Sequence, residues 1–186
     1  MNVLYMGVDN PIEVSAAGVP SNKIQVSMGG AGAATIKKAP GGGYIVNATK
    51  PTTRDNFATV NVSAGDFSAK KDFRIKRIPD PVAKLSGKRG GGMNSGEFKA
   101  QDGVFAILEN FDFDAKCNVS GYRVVRVAKR QDPIVAVNAG GRYGGEAKRV
   151  ITQAKPGDRY YFENIKCKCP GDLGPRDLGS MSFLIK

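Results

Sequence analysis

The groups in this chain best suited to chemistry are three cysteines, two closely spaced aspartates and a glycine run beside two cations; histidine is absent. The side chain that most often moves protons or binds metals near neutral pH is therefore missing. In Glu109-Asn110-Phe111-Asp112-Phe113-Asp114, Asp112 and Asp114 would share one strand face about 7 Å apart, from the two-residue rise. Such a pair could flank a glycosidic bond or hold calcium. On an extended strand it is more simply a solvated face, charged against aggregation. Lys88-Arg89-Gly90-Gly91-Gly92 sets backbone amides beside cations, but a phosphate loop ends in Gly-Lys-Ser/Thr and opens a helix. Neither feature is present, so the run reads as a flexible basic loop. No catalytic residue, cofactor site or metal site is expected.

Cys117, Cys167 and Cys169 allow at most one internal disulfide. Cys-Lys-Cys has no second pair and no histidine to complete a four-ligand zinc site. By strand parity Cys117 falls on the face of Phe111, Phe113 and Ala115, and Cys167 on the face of Ile165. Both point inward, so a bridge between Cys117 and Cys167 across adjacent strands is geometrically allowed. The alternative is buried thiols acting as small hydrophobes. A Cys167–Cys169 bridge is excluded because it would distort an extended strand, and Cys169 is expected to be the less buried. Asn47-Ala48-Thr49, Asn61-Val62-Ser63 and Asn118-Val119-Ser120 fit the glycosylation acceptor pattern inside predicted strands and are read as chance matches.

The elements that must carry these groups are mostly strands. The chain has 186 residues with 24 glycines, few aromatics and no tryptophan. Short alternating segments are predicted at 3–6, 12–15, 23–28, 33–37, 43–49, 57–63 and 67–78, separated by Gly, Pro, Asn and Asp. That count and pattern fit a small immunoglobulin-like sandwich over residues 1–79. Arg77-Ile78-Pro79-Asp80-Pro81 then breaks the pattern, since two prolines in three residues cannot continue a central strand. Residues 80–186 read as an α+β domain. Its strands include an alternating run over Phe111, Phe113, Ala115, Cys117 and Val119, followed by 122–127, 134–137, 159–168 and 181–185. The helix at 146–154 places Ala147, Val150, Ile151 and Ala154 on one side. The antiparallel sheet would carry one or two helices.

Net charge is +11, but it is diffuse: residues 1–79 hold 10 basic and 5 acidic groups, residues 80–186 hold 18 and 12. The densest cluster runs from Lys70 to Arg77, where Phe73 and Ile75 alternate with Arg74 and Lys76 as the wet face of a strand. A nucleic-acid partner is not expected. No apolar run of 18 residues is present, so no helical membrane span is predicted.

Two blocks carry a resemblance. Gly96-Glu97-Phe98-Lys99-Ala100-Gln101 with Leu108-Glu109-Asn110-Phe111-Asp112-Phe113-Asp114, and Pro156-Gly157-Asp158-Arg159-Tyr160-Tyr161-Phe162-Glu163-Asn164-Ile165-Lys166, resemble the C-terminal region of the GldM gliding-motility family and its PorM relatives. The resemblance implies a non-catalytic periplasmic part of the type IX secretion and gliding machinery. It implies a homodimer, linked to an inner-membrane motor partner through an anchored N-terminal region outside this sequence. The far end would engage outer-membrane-associated ring proteins. Loops 88–92, 140–145 and 171–176 are the expected contact surface, with Arg89, Arg142, Tyr143 and Arg176 as the residues proposed to meet partners. The alternative is a secreted or periplasmic module that binds carbohydrate or an acidic polymer. For that reading Tyr122 and Tyr143 are the only loose aromatic candidates.

Overall fold

The computed structural model describes residues 2–186, arranged as two compact units. The first unit is Met1–Ile78 with two short later segments, Asp112–Asp114 and Pro170–Asp172. Its strands are β1 (Val3–Tyr5), β2 (Asn10–Ile12), β3 (Gln25–Gly30), β4 (Ala33–Lys38), β5 (Tyr44–Lys50), β6 (Ala58–Ala64) and β7 (Phe67–Lys76). They form two sheets, ordered β1-β7-β6-β3 and β2-β5-β4. β1 lies parallel to β7, and the other pairs are antiparallel. The inward residues Leu4, Met6, Val46, Ala48, Ala58 and Ile75 make the core between the sheets. This is an immunoglobulin-like sandwich, and it forms because each strand alternates one apolar face with one wet face.

The strand expected at 12–15 instead begins at Asn10 and includes Pro11. β2 is an edge strand, so the proline's missing donor leaves no ladder bond unmade. Asn10 also closes the turn before it. Its side chain accepts from the Tyr5 amide at 2.7 Å and donates to the carbonyls of Tyr5, Val8 and Val46. Buried in this way, it satisfies backbone groups that the short β1 and β2 leave open. Close approach of backbone explains Gly7: at φ 74°, a Cβ there would collide with Gly171.

The second unit comprises residues 79–111, 115–169 and 173–186. It contains β8 (Val82–Lys84), β9 (Gly91–Met93), α1 (Ser95–Lys99), β10 (Phe105–Ile107), β11 (Asn118–Val127) and β12 (Ile134–Ala139). Then come α2 (Gly145–Thr152), β13 (Arg159–Lys168), β14 (Arg176–Asp177) and β15 (Met181–Ile185). The main sheet runs β12-β11-β13-β15-β9 with β14 beside β13, and β10 pairs with β8 separately. All pairs are antiparallel except β15–β9. This is the expected α+β class, with one parallel edge that no local pattern marks.

One face of the main sheet is packed. Phe98 from α1 is fully buried, with ring centroids 4.5 Å from Tyr160, 6.3 Å from Phe162 and 6.1 Å from Phe183. α2 adds Ala147, Val150 and Ile151 to the same core. The helix stops at Thr152, two residues short of the periodic pattern. Ala154 is buried all the same.

The alternating run at Phe111–Val119 is corrected by the structure. Residues 111–116 lie in no strand, and the ladder starts only at Asn118. Exposure still alternates there, with Asp112, Asp114 and Lys116 exposed and the residues between them partly covered. Period two reports an extended chain with two faces, whereas a sheet also needs a neighbour to pair with.

Candidate functional site

The four residues expected to meet partners fall into different environments. Arg89 and Arg142 are well exposed, at 60% and 79% of their side chains. Each has an acidic neighbour in its own chain: Glu109 at 2.5 Å for Arg89, Asp102 at 3.8 Å for Arg142. Glu109 also binds Lys84 at 2.7 Å, and that hydrogen bond, followed by the nearby charge of Arg89, holds its carboxyl below the usual range. Arg176 is turned to its own chain. It is buried, and its guanidinium donates to Asp80 at 2.8 Å and to the Pro79 carbonyl at 3.2 Å. Tyr143 belongs to the core edge. Its ring stacks on Phe162 at 6.5 Å and meets Tyr122 edge-on at 6.5 Å, with the Lys148 ammonium 5.8 Å from its centre. Tyr122, the other loose aromatic, is buried and donates its hydroxyl to the Gly141 carbonyl.

The loops themselves are more constrained than a glycine count implies. Residues 85–88 make a tight turn, with Leu85 and Lys88 exchanging both backbone hydrogen bonds at 2.9 Å. Ser86 and Gly87 take φ of 49° and 74°, the positive pair that a two-residue hairpin needs. Gly91 and Gly92 then enter β9, so the expected flexible loop at 88–92 is half turn and half edge strand. The loop 140–145 is held from two sides. The Val104 amide donates to Gly141 and the Tyr143 amide to Asp102, both at 2.8 Å. Asn138, buried at the end of β12, donates to the carbonyls of Ala139, Gly140 and Arg142 and accepts from the Gly144 amide. Asn138 lies one residue past the strand predicted at 134–137. Its inward parity on β12 was the available signal, since a buried amide must find partners.

The cysteine pairing also differs from expectation. The disulfide joins Cys117 to Cys169. Cys167 lies outside it, fully buried in β13, and Cys169 is buried too at 3% exposure. Cys167 and Cys169 share a strand face, so parity cannot choose between them. Register does: Asn118 lies opposite Lys168 and Val119 opposite Cys167. The next position outward therefore sets Cys117 against Cys169, with Cα atoms 4.1 Å apart.

Asp112 and Asp114 are exposed on the unpaired segment. Among the described residues no group of three or more His, Cys, Asp or Glu side chains could hold a metal ion, and no helix is long and apolar enough to cross a membrane. An apolar cleft of about 530 Å³ opens between β10 and the start of β11, lined by Phe105, Ile107, Phe111, Cys117, Val119 and the Arg142 stem among others. Across the main sheet, the face turned away from α1 and α2 is uncovered at β12, where Val135 and Val137 are 51% and 75% exposed. Sequence reading passed over these two valines. The signal was present, for Ile134-Val135-Ala136-Val137 is apolar on both faces, which an antiparallel edge strand does not need for its own core.

Comparison with protein-family models matches residues 1–76 to the GldM third domain and residues 79–185 to the GldM C-terminal domain. No curated protein matches. Among solved structures, human protocadherin-24 EC1-2 is similar at 11% identity and a TM-score of 0.20, covering 87% of this chain and 82% of that one. At that score the likeness carries no weight for fold or function.

Proposed function

The chain belongs to the GldM family, and we propose that it is the end of a periplasmic rod that transmits force or position from an inner-membrane motor to outer-membrane-associated ring proteins. As a GldM-family chain it is a component of gliding motility and type IX secretion, and its domains are periplasmic. The observation that carries the proposal is the two GldM domains in order and nearly end to end over the whole chain.

What the residues offer supports a mechanical and binding role. Both units are built on sheets with continuous cores. The second adds a disulfide across β11 and β13, suited to an oxidising compartment. It exposes cations, Arg89 and Arg142 among them, on short, held loops. A non-catalytic homodimer, anchored through a region N-terminal to this sequence and touching the ring through residues 80–186, fits these features.

The test is deletion of residues 82–186 from the full-length protein in its own cells. Loss of secretion and gliding, with the remaining protein still present at normal levels, is the expected result. Secretion and gliding that survive the deletion would overturn the proposal.

A further inference from the structure

The first unit takes in two runs from far along the chain, 112–114 and 170–172. Both land on the same three residues, Tyr5-Met6-Gly7, where β1 ends and turns. The Phe113 ring meets the Tyr5 ring edge-on, with centroids 5.1 Å apart. Gly171 lies backbone to backbone against the turn. A Cβ on Gly7 would fall 2.2 Å from the Gly171 nitrogen, and one on Gly171 would fall 2.8 Å from the Met6 carbonyl carbon. Both glycines have positive φ, 74° and 75°, so each side of this approach needs a residue without a side chain. Asn10 braces the turn from within, through its bonds to the Tyr5 amide and carbonyl.

The roots of the two runs are covalently joined. Cys117 follows the first run by three residues, and Cys169 immediately precedes the second. On one side of the bridge the β11–β13 ladder begins at once, with Asn118 opposite Lys168. On the other side, residues 111–116 and 169–172 lie in no strand. The disulfide is therefore the last cross-link before the chain parts into the two runs. Cys117 also lines the cleft of about 530 Å³ beside β10, which gives a small thiol a route to its sulfur.

We propose that this disulfide is the root of a redox-sensitive clasp. Bridged, it sets the spacing of two jaws, Phe113 and Gly171, on Tyr5–Gly7. Reduced, it lets the jaws leave that turn while both cores stay folded. Each run is three residues long, so its release costs far less than opening either core. The reductant is a dithiol. Its first thiolate bonds to Cys117 Sγ, and Cys169 Sγ leaves as a thiolate. Its second thiol then breaks the mixed disulfide. Two electrons and two protons pass to the cysteines, and the dithiol ends as its own disulfide. The clasp goes beyond the proposed function and does not depend on it.

Amide hydrogen exchange on the 186-residue chain, oxidised and in dithiothreitol, tests it. Amides of 5–7, 112–114 and 171–172 are expected to exchange about tenfold faster or more after reduction, while 58–64 and 159–165 stay protected. Cys117→Ala/Cys169→Ala is expected to reproduce that pattern without reductant. Phe113→Ala, with the bridge intact, removes one jaw and is expected to speed exchange at 5–7 while 171–172 stay protected. Unchanged exchange at 5–7, 112–114 and 171–172 on reduction would mean that the Asn118–Lys168 ladder spaces the runs by itself, and would overturn the clasp. Loss of protection across 58–64 or 159–165 would assign the bridge to the stability of a core and overturn it as well. Unchanged exchange at 5–7 in Phe113→Ala would remove that jaw and with it the two-jawed clasp.

Discussion

Arg126 Nε donates to Asp158 Oδ2 at 2.8 Å, with both side chains only 7% exposed. The same guanidinium donates to Gln153 Oε1 at 2.8 Å, and the same carboxylate oxygen accepts from the Lys155 amide at 3.1 Å. Asp158 also binds β15 through its carbonyl, which accepts from Ile185 at 2.9 Å. One ion pair thus ties β11, the end of α2 and the closing strand together. Arg126→Ala leaves a buried carboxylate without its cation and is expected to cost about 3–5 kcal/mol. Denaturant unfolding of the variant against the parent measures it.

The disulfide gives a second expectation. Joining Cys117 to Cys169 closes a loop across a sequence separation of 52, so reduction or Cys169→Ser is expected to remove about 2–4 kcal/mol. Cys167→Ser buries a hydroxyl in the core without breaking the bridge. Peptide mapping without reductant decides the assignment, and a linked peptide pair containing Cys167 would refute it.

Tyr143 carries a buried hydroxyl that meets no hydrogen-bond partner among the described residues. Burial raises its titration well above the ordinary tyrosine value of 10.0, and burial does the same for Tyr122 and Tyr160. Folded-state values raised above the unfolded one mean stability that is complete below about pH 10. It is lost as pH rises further and the unfolded chain ionises first. Tyr143→Phe removes the unsatisfied hydroxyl. It is expected to match the parent or exceed it by about 1 kcal/mol at neutral pH and to lose less stability above pH 10. Melting curves from pH 7 to 11 check both parts.

Charge at the loops supplies the functional prediction. Arg89→Glu with Arg142→Glu places carboxylates beside Glu109 and Asp102. Both sites are exposed, so the fold is expected to hold within about 1 kcal/mol. Binding to ring proteins is expected to weaken, chiefly through slower association and a reduced salt dependence. Binding kinetics at two salt concentrations test this, and unchanged kinetics would remove the loops from the contact surface.

Much of this protein was legible in its sequence. Alternation in Ile45-Val46-Asn47-Ala48 and in Ala58-Thr59-Val60 marks strands because a pleated backbone sends neighbours to opposite faces. The spacing of Ala147, Val150 and Ile151 marks α2 by the same geometric necessity at helical period. The two blocks that resemble GldM lie where the C-terminal family model matches. These are local facts, written within a few residues of chain. What the tertiary structure decided was pairing. Period two at Phe111–Ala115 could not say that no strand lies alongside, and parity could not choose Cys169 over Cys167 for Cys117. It could not make Asn138 the clamp of the loop after it or place Gly91–Met93 parallel to β15. Each of these depends on which distant segment arrives opposite and in what register, and a register is a relation between two chains' worth of contacts that neither segment encodes alone.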